Sequence, residues 1–232
     1  MAGHDGGSEP SGADVLPGSR SALDPDRAIK PGRHGLSPET VAGIQRERLI
    51  DAFVQVVAER GFGHTTISRV TKAAGVTKKT FYAHFTDLDD CFLAAYRRGM
   101  DILLARMTEA YEAAPTWPDG VHAALRTLLG VLAREPRFAR AALVEVNAAG
   151  PRVRRARVDT LIRFRAFFAA PSAASLPVAV VDAIVGGIYG TICIRTETGR
   201  PEELPSLLPS LTYFALLPVV GREEAAPYLS ET

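Results

Sequence analysis

The chain has 232 residues and a formal net charge of +1, with 27 lysine and arginine residues against 26 aspartate and glutamate residues. Hydrophobic residues make up 47% of it, which excludes a wholly disordered chain, and the glycines show no fibrous or repeat period. The two cysteines, Cys91 and Cys193, form neither a disulfide framework nor a metal-ligand pair. Together with a start unlike a secretory signal, this predicts a globular cytoplasmic protein with reduced thiols.

The N-terminal segment, residues 1–42, is rich in glycine, proline and serine, and its apolar residues follow no regular spacing. We therefore expect a disordered arm of mixed charge. It is either a solvated tail or a flexible arm that reaches DNA, since Lys30 and Arg33 lie just before the folded part and basic arms can enter the minor groove.

Helical spacing of apolar residues begins near residue 43, and no later segment alternates as a strand does. This predicts an all-α protein of about nine helices, at 43–60, 66–74, 77–85, 87–112, 119–134, 136–148, 152–169, 178–196 and 202–217. We expect the first three to form a small N-terminal domain over residues 43–88. The others form a larger bundle over 89–221, followed by a tail over 222–232.

The segment from Gly61 to Phe85 carries four cations and no acid, in a chain that is otherwise nearly neutral. Thr66 and Thr77 are residues that cap helix N-termini, and Gly75 suits a left-handed turn between two short helices. The pattern predicts a helix-turn-helix, whose second helix can lie in the major groove of duplex DNA. Composition alone leaves a solvated amphipathic helix as the alternative.

Within the second of these helices, Phe81 and Phe85 form one apolar stripe, so the opposite surface is centred on Lys79 and Ala83. A surface that enters the groove needs a small residue, a long cation and hydrogen-bonding groups. Lys79 and Thr80 are the candidates for base contacts. The candidates for phosphate contacts are Thr66, Thr77, Lys78, Tyr82 and His84.

The stretch RERLIDAFVQVVAERGFGHTTISRVTKAAGVTKKTFYAHFTDLDDCF, from Arg46 to Phe92, resembles the N-terminal DNA-binding domain of the tetracycline-repressor (TetR) family of bacterial transcription regulators. The matching elements are the helix with Ala52-Phe53 that ends at Gly61-Phe62, Thr65-Thr66-Ile67, Ala74-Gly75-Val76 and the run from Thr77 to Phe85. The resemblance implies a homodimer that binds a palindromic operator. It further implies release of DNA when a small molecule enters the C-terminal helices.

One residue departs from the family pattern. Where the family often has a lysine at the start of the fourth helix, this chain has Leu88, amid Asp87, Asp89 and Asp90. We expect one phosphate contact fewer and a weaker dependence of DNA binding on salt.

The C-terminal bundle is expected to hold the ligand pocket that the resemblance implies. Bulky apolar side chains are candidates to line it, although each also suits an ordinary core position. Glu145 and Asn147 are either polar partners of a ligand or merely exposed. The candidate ligand-binding residues are Met100, Leu104, Met107, Trp117, Phe138, Glu145, Asn147, Phe164 and Phe168.

Residues 174–194 carry a single charge, Asp182, so a membrane span has to be considered. The central charge and the prolines nearby argue against it, and glycines that let helices approach closely favour a homodimer interface. We place this interface at Asp182, Gly186, Ile188, Tyr189, Gly190, Leu211 and Phe214 and expect no membrane association.

Motifs of nucleotide-binding, P-loop, zincin and serine-hydrolase proteins do not occur, so we expect no enzyme, no metal and no cofactor. The arginine-rich run between Arg152 and Arg165 is a solvated helix face, a receptor for an acidic ligand, or an accessory contact with DNA or a partner protein. The predicted function is a DNA-binding repressor that responds to an unidentified ligand. The alternative is a ligand-binding or protein-interaction module whose basic face binds an acidic protein partner.

Overall fold

The computed structural model describes residues 15–21, 37–168 and 176–230 of the chain. Within these residues the regular structure is helical throughout, which confirms the all-α prediction. The helices are α1 (Pro38–Arg60), α2 (Ile67–Ala74), α3 (Lys78–His84), α4 (Leu88–Glu112), α5 (Trp117–Arg134), α6 (Pro136–Leu143), α7 (Pro151–Arg163), α8 (Val178–Glu197) and α9 (Leu208–Ala225). Short stretches of 3-10 helix lie at Phe62–His64, Glu145–Asn147, Phe164–Phe168, Pro201–Leu207 and Ala226–Leu229.

Several helix ends differ from their predicted positions because local capping decides them. α1 begins five residues earlier than expected, since the Ser37 side chain accepts a hydrogen bond from the Thr40 amide at 3.1 Å and Pro38 suits the first turn. Its end at Gly61, with φ of 79°, is as predicted. The last predicted helix splits, because prolines hold Pro201–Leu207 in a 3-10 stretch and α9 begins only at Leu208.

α4 joins the small N-terminal unit to the larger bundle. It packs on α1 at its start and on α5 and α7 along its length. Phe92 of α4 lies with its ring centroid 5.3 Å from that of Phe53 in α1, and both side chains are fully buried. α6 lies between α1 and α8, so the small N-terminal unit also touches the bundle away from α4.

A short part of the N-terminal arm, residues 15–21, packs on the folded helices; we call it the N-terminal anchor. Leu16 is 1% exposed, and the Gly18 amide donates to Asp51 Oδ1 of α1 at 2.8 Å. Ser19 Oγ donates to Glu135 Oε2, beside the end of α5, at 2.7 Å. The anchor thus touches both units and differs from the expected disorder, whereas Lys30 and Arg33 lie outside the described residues.

The anchor depends on a glycine at its centre. Gly18 has φ of +86°, and a Cβ there would lie 2.5 Å from Val54 Cγ1 of α1. Both the backbone conformation and the close contact therefore require glycine.

Two segments, Val178–Glu197 and Pro201–Leu229, are long and apolar enough to span a membrane by length and composition. In the structure α8 packs on α6, and α9 packs on α5. Only 22% and 28% of their apolar windows are buried among the described residues, so much apolar surface on these helices faces outward.

Candidate DNA-binding surface and ligand cavity

The helix-turn-helix is built by the two threonine caps and the glycine turn. The Thr66 side chain accepts from the Arg69 amide at 3.3 Å at the start of α2, and the Thr77 side chain accepts from the Thr80 amide at 3.1 Å at the start of α3. Gly75 ends α2 in the left-handed region, with φ of 63° and ψ of 36°. These contacts fix the direction in which α3 leaves the turn.

α3 has an inner and an outer side, as its sequence predicts. Phe81 and Phe85 are buried, with ring centroids 5.6 Å apart. On the outer side Tyr82 is 60% exposed, next to exposed Ala83. We define the recognition face as the exposed predicted residues Thr66, Thr77, Lys78, Lys79 and Tyr82.

The other two predicted DNA-binding residues are less available. Thr80 is half-buried, and its hydroxyl lies 3.0 Å from Thr77 Oγ1. His84 is half-buried, and burial, with a smaller effect of the Arg46 guanidinium, lowers its pKa below the usual 6.5. A neutral His84 at pH 7 can donate one hydrogen bond to a phosphate but brings no charge.

The acidic residues at the start of α4 are engaged within the protein. Asp87 Oδ1 accepts from the Asp90 amide at 2.7 Å and caps α4, while the same carboxylate pairs with Arg152 at 3.2 Å. Asp89 Oδ1 accepts from the Gly150 amide at 2.9 Å. These bonds link the end of the helix-turn-helix to the start of α7.

Glu145 forms another contact between the two units. Its side chain is nearly buried, and Oε2 accepts from the Phe62 amide, just after α1, at 2.8 Å. Oε1 pairs with Arg140 of α6 at 3.1 Å. The carboxylate is therefore satisfied by the protein, and Glu145 lies outside the cavity where a ligand-binding role was expected.

A cavity lies among α4, α5, α6, α7 and α8 and the 3-10 stretch 164–168. It holds about 750 Å³ of space between side chains, a volume that includes the solvent at its open side. Its wall is mostly apolar, formed by residues such as Leu103, Leu128, Val185 and Ile192. Four of the predicted ligand-binding residues line it: Met100, Met107, Phe164 and Phe168.

The other predicted ligand-binding residues are outside the cavity wall. Phe138 is 2% exposed and packs against Gly99 of α4, where a Cβ would lie 2.1 Å from its ring. Trp117 Nε1 donates to the Phe167 carbonyl at 3.0 Å, and Leu104 is a core residue. The amide of Asn147 bonds to backbone carbonyls at the end of α6.

Three hydroxyl groups interrupt the apolar wall, from Tyr96, Thr160 and Tyr189. Burial raises the pKa of Tyr96 to about 12, although the nearby Thr160 hydroxyl and Arg157 guanidinium lower it. Burial also raises the pKa of Tyr189. Both phenols are therefore protonated hydrogen-bond donors at neutral pH.

The expected dimer residues divide into inner and outer sets. Ile188 and Tyr189 line the cavity, and Leu211 is 6% exposed. The sequence missed this because α8 is apolar on all sides, so its spacing does not indicate which side faces inward. Asp182 is exposed but pairs with Arg165 at 2.6 Å.

The outer residues form an apolar surface on α8 and α9. Gly186 and Gly190 have open space where a Cβ would stand, and Phe214 is 43% exposed. We define the outer apolar face by these three residues together with the exposed side chains that sequence reasoning missed, Val178, Ile194 and Leu217.

Among the described residues, no three His, Cys, Asp or Glu side chains form a group able to hold a metal ion. Burial raises the pKa of the Cys91 thiol, which disfavours a reactive thiolate.

The DNA-binding unit and the whole fold both match known proteins. Residues 49–95 match the family model described as "Bacterial regulatory proteins, tetR family". The "Fatty acid metabolism regulator protein" of Bacillus subtilis (strain 168) is 34% identical over 62 residues, which are 27% of this chain and 32% of the relative. The match with this curated relative therefore spans about a third of its length.

Two solved structures extend the likeness beyond the helix-turn-helix. The transcriptional regulator FadR from Bacillus subtilis in complex with stearoyl-CoA has a TM-score of 0.65 at 21% identity, over 75% of this chain and 97% of that chain. A transcriptional regulator from Rhodococcus sp. Rha1 has a TM-score of 0.59 at 25% identity, over 75% and 96%. The shared fold thus includes the C-terminal bundle.

Proposed function

We propose that the chain is a DNA-binding transcriptional regulator similar to the tetR family, and that it acts as a cytoplasmic homodimeric repressor of a palindromic operator. The observation that carries this proposal is the recognition face, an exposed cationic surface held by two helix caps and a buried pair of phenylalanines. A dimer would place two such faces in successive major grooves, about 34–36 Å apart. Binding to an acidic protein partner is not favoured.

The outer apolar face supports the homodimer. Val178, Ile194 and Phe214 are 61%, 63% and 43% exposed in the single chain. Exposed apolar side chains on two adjacent helices favour a symmetric contact in which α8 and α9 meet their copies as four helices. The same contact would cover the two helices that are apolar enough to span a membrane.

The cavity supports response to an apolar ligand. The similar Bacillus subtilis FadR was solved with stearoyl-CoA, and the cavity here has a mostly apolar wall. We therefore assign the cavity to a ligand with a long acyl chain. Entry of that chain between α4, α7 and α8 would displace α4, which also contacts α1 in the DNA-binding unit. Release of DNA requires that the ligand bind this displaced state more tightly.

The operator is identified by selection of random duplex DNA with the full chain, followed by sequencing. The wild type should enrich a palindrome, and the double variant Lys79→Ala, Tyr82→Ala should not. Arg222→Ala is the control. It also removes an exposed cation, but Arg222 lies on α9 and is not part of the recognition face. Weak binding at physiological salt with no enriched sequence would refute operator recognition by α3.

A further inference from the structure

An arginine beside the cavity has unused hydrogen-bonding capacity. The Nε of Arg157 on α7 is buried and has no hydrogen-bond partner among the described residues. Arg157 also takes part in none of the ion pairs formed among the described residues. A buried donor without a partner is costly and rare in folded proteins, so a missing partner is indicated.

Arg157 differs from its neighbours in the arginine-rich run. Arg152 pairs with Asp87, and Arg163 pairs with Asp101 at 2.6 Å. Arg154 donates to the Ala149 carbonyl. These three residues support the structure or face solvent, whereas the Arg157 guanidinium turns toward the bundle.

The position of Arg157 joins it to the hydroxyl groups of the cavity. Its Cζ lies 5.5 Å from the ring centroid of Tyr189, whose side chain is part of the cavity wall. Tyr189 Oη donates to the Leu143 carbonyl over 3.4 Å, a long bond that a stronger acceptor can replace. Arg157 also lowers the pKa of Tyr96, and it lowers that of Tyr189 through a side-chain hydrogen bond to the phenol. Arg157 itself is not part of the cavity wall; it lies directly behind Tyr189, next to the hydroxyl groups that interrupt the apolar wall.

We infer that the ligand of this cavity is a long-chain carboxylic acid, whose carboxylate is bound by Arg157 and the hydroxyl groups of Tyr96 and Tyr189. This inference rests on the proposed acyl ligand and adds the chemistry of its head group. A carboxylate accepts two hydrogen bonds from one guanidinium and short bonds from phenols. An acyl thioester would place an uncharged carbonyl there, with its phosphates far along the carrier, and would leave the charge of Arg157 unmatched.

The test compares three probes of equal chain length by calorimetry on the full chain: dodecanoic acid, 1-dodecanol and dodecanoyl-CoA. The wild type should bind the acid at least about tenfold more tightly than the alcohol, as expected for a charge-assisted pair. Arg157→Gln should reduce this preference to less than about twofold, because it weakens binding of the charged acid far more than binding of the neutral alcohol. Arg155→Gln, two residues away and exposed, is the matched control and should behave as the wild type.

A second variant, Tyr189→Phe, tests the same inference if Arg157→Gln does not fold. Tyr189→Phe keeps the ring in the wall and removes one donor, so it should weaken binding of the acid by about threefold to tenfold and binding of the alcohol by less. Equal binding of acid and alcohol by the wild type would overturn the head-group assignment and leave the acyl ligand standing. Binding of dodecanoyl-CoA alone would also overturn it. Binding of none of the three probes would refute the proposed acyl ligand itself.

Discussion

The charged side chains near α3 and the start of α4 differ in what they already bind. Among the described residues, Lys78 and Lys79 take part in no ion pair, so both are available to DNA. Asp87 and Asp89, by contrast, are held by hydrogen bonds to their own chain. The acids therefore stabilise the fold beside the recognition face and need not be displaced when DNA binds.

Leu88 allows a direct test of the missing phosphate contact. It is half-buried at the first turn of α4, beside the capping Asp87. Leu88→Lys should steepen the plot of log Kd against log salt concentration by about 0.9, the contribution of one phosphate. Leu88→Gln controls for the loss of the apolar side chain. An unchanged slope in the lysine variant would mean that this end of α4 stays away from DNA.

His84 should make stability depend on pH. Burial, with help from Arg46, lowers its pKa in the folded state below the unfolded value of 6.5. The unfolded chain therefore takes up a proton first as the pH falls, so the stability contributed by neutral His84 is present above pH 6.5 and lost below it. His84→Gln should show a smaller drop in Tm between pH 7.5 and pH 5.5 than the wild type. An equal drop would assign the effect to other groups.

How well the sequence predicts a feature of the helices depends on how close together in the chain the residues that form it lie. The caps at Thr66 and Thr77 and the turn at Gly75 involve residues three or four apart, so their spacing predicts them correctly. The cavity is formed by five helices, and single residues do not show which side chains meet there. In α8, apolar residues face both the cavity and the outside, so the sequence alone does not show that Ile188 and Tyr189 line the cavity.

The two sides of α8 can be separated by matched substitutions. Ile194 is 63% exposed on the outer apolar face, whereas Ile188 is 7% exposed and lines the cavity. Ile194→Arg should give folded monomers, because a charge in the proposed interface opposes association. Ile188→Arg should instead lower Tm by burying a charge. Sedimentation and circular dichroism measure both effects, and a dimeric Ile194→Arg variant would contradict the assigned interface.

The N-terminal anchor should contribute to stability despite its polar surroundings in the sequence. Leu16 is 1% exposed against the folded helices, so Leu16→Ala should reduce the free energy of unfolding by about 2 kcal/mol. Arg20→Ala is the control, because the Arg20 backbone carbonyl, which accepts from Gln55 at 2.8 Å, remains in place. Urea denaturation measures both variants. A loss as small as that of the control would mean that the anchor is only loosely held.

For the whole molecule, the coupling of ligand and DNA depends on the contacts that cross between the two units. α4 provides one route, and the bond from the Phe62 amide to Glu145 provides another, from the loop after α1 to the end of α6. Because α6 also contributes Ala142 and Leu143 to the cavity wall, a change at the wall can reach the helix-turn-helix without passing along α4.

Glu145→Ala should weaken this coupling. The change leaves the Phe62 amide and Arg140 without their partner and should bring the ratio of operator Kd values with and without dodecanoic acid closer to one. Asn147→Ala is the control, since that amide bonds only to carbonyls of its own turn. Fluorescence anisotropy of labelled operator gives the ratio. If Glu145→Ala has the same ratio of operator Kd values as the wild type, the coupling between cavity and helix-turn-helix passes through α4 alone.

α8 is apolar on two opposite sides, and both sides would be covered in the assembled protein. One side of this helix forms part of the cavity wall through Val185, Ile188 and Ile192, and the other carries the outer apolar face. In the proposed dimer, the two copies of α8 would lie between the two ligand cavities, or chambers, one in each subunit. Each copy of α8 is about 10 Å thick with its side chains. A ligand that moves its own α8 pushes on the wall of the neighbouring chamber. Filling one chamber would then change the affinity of the other for ligand, by the same factor in both directions.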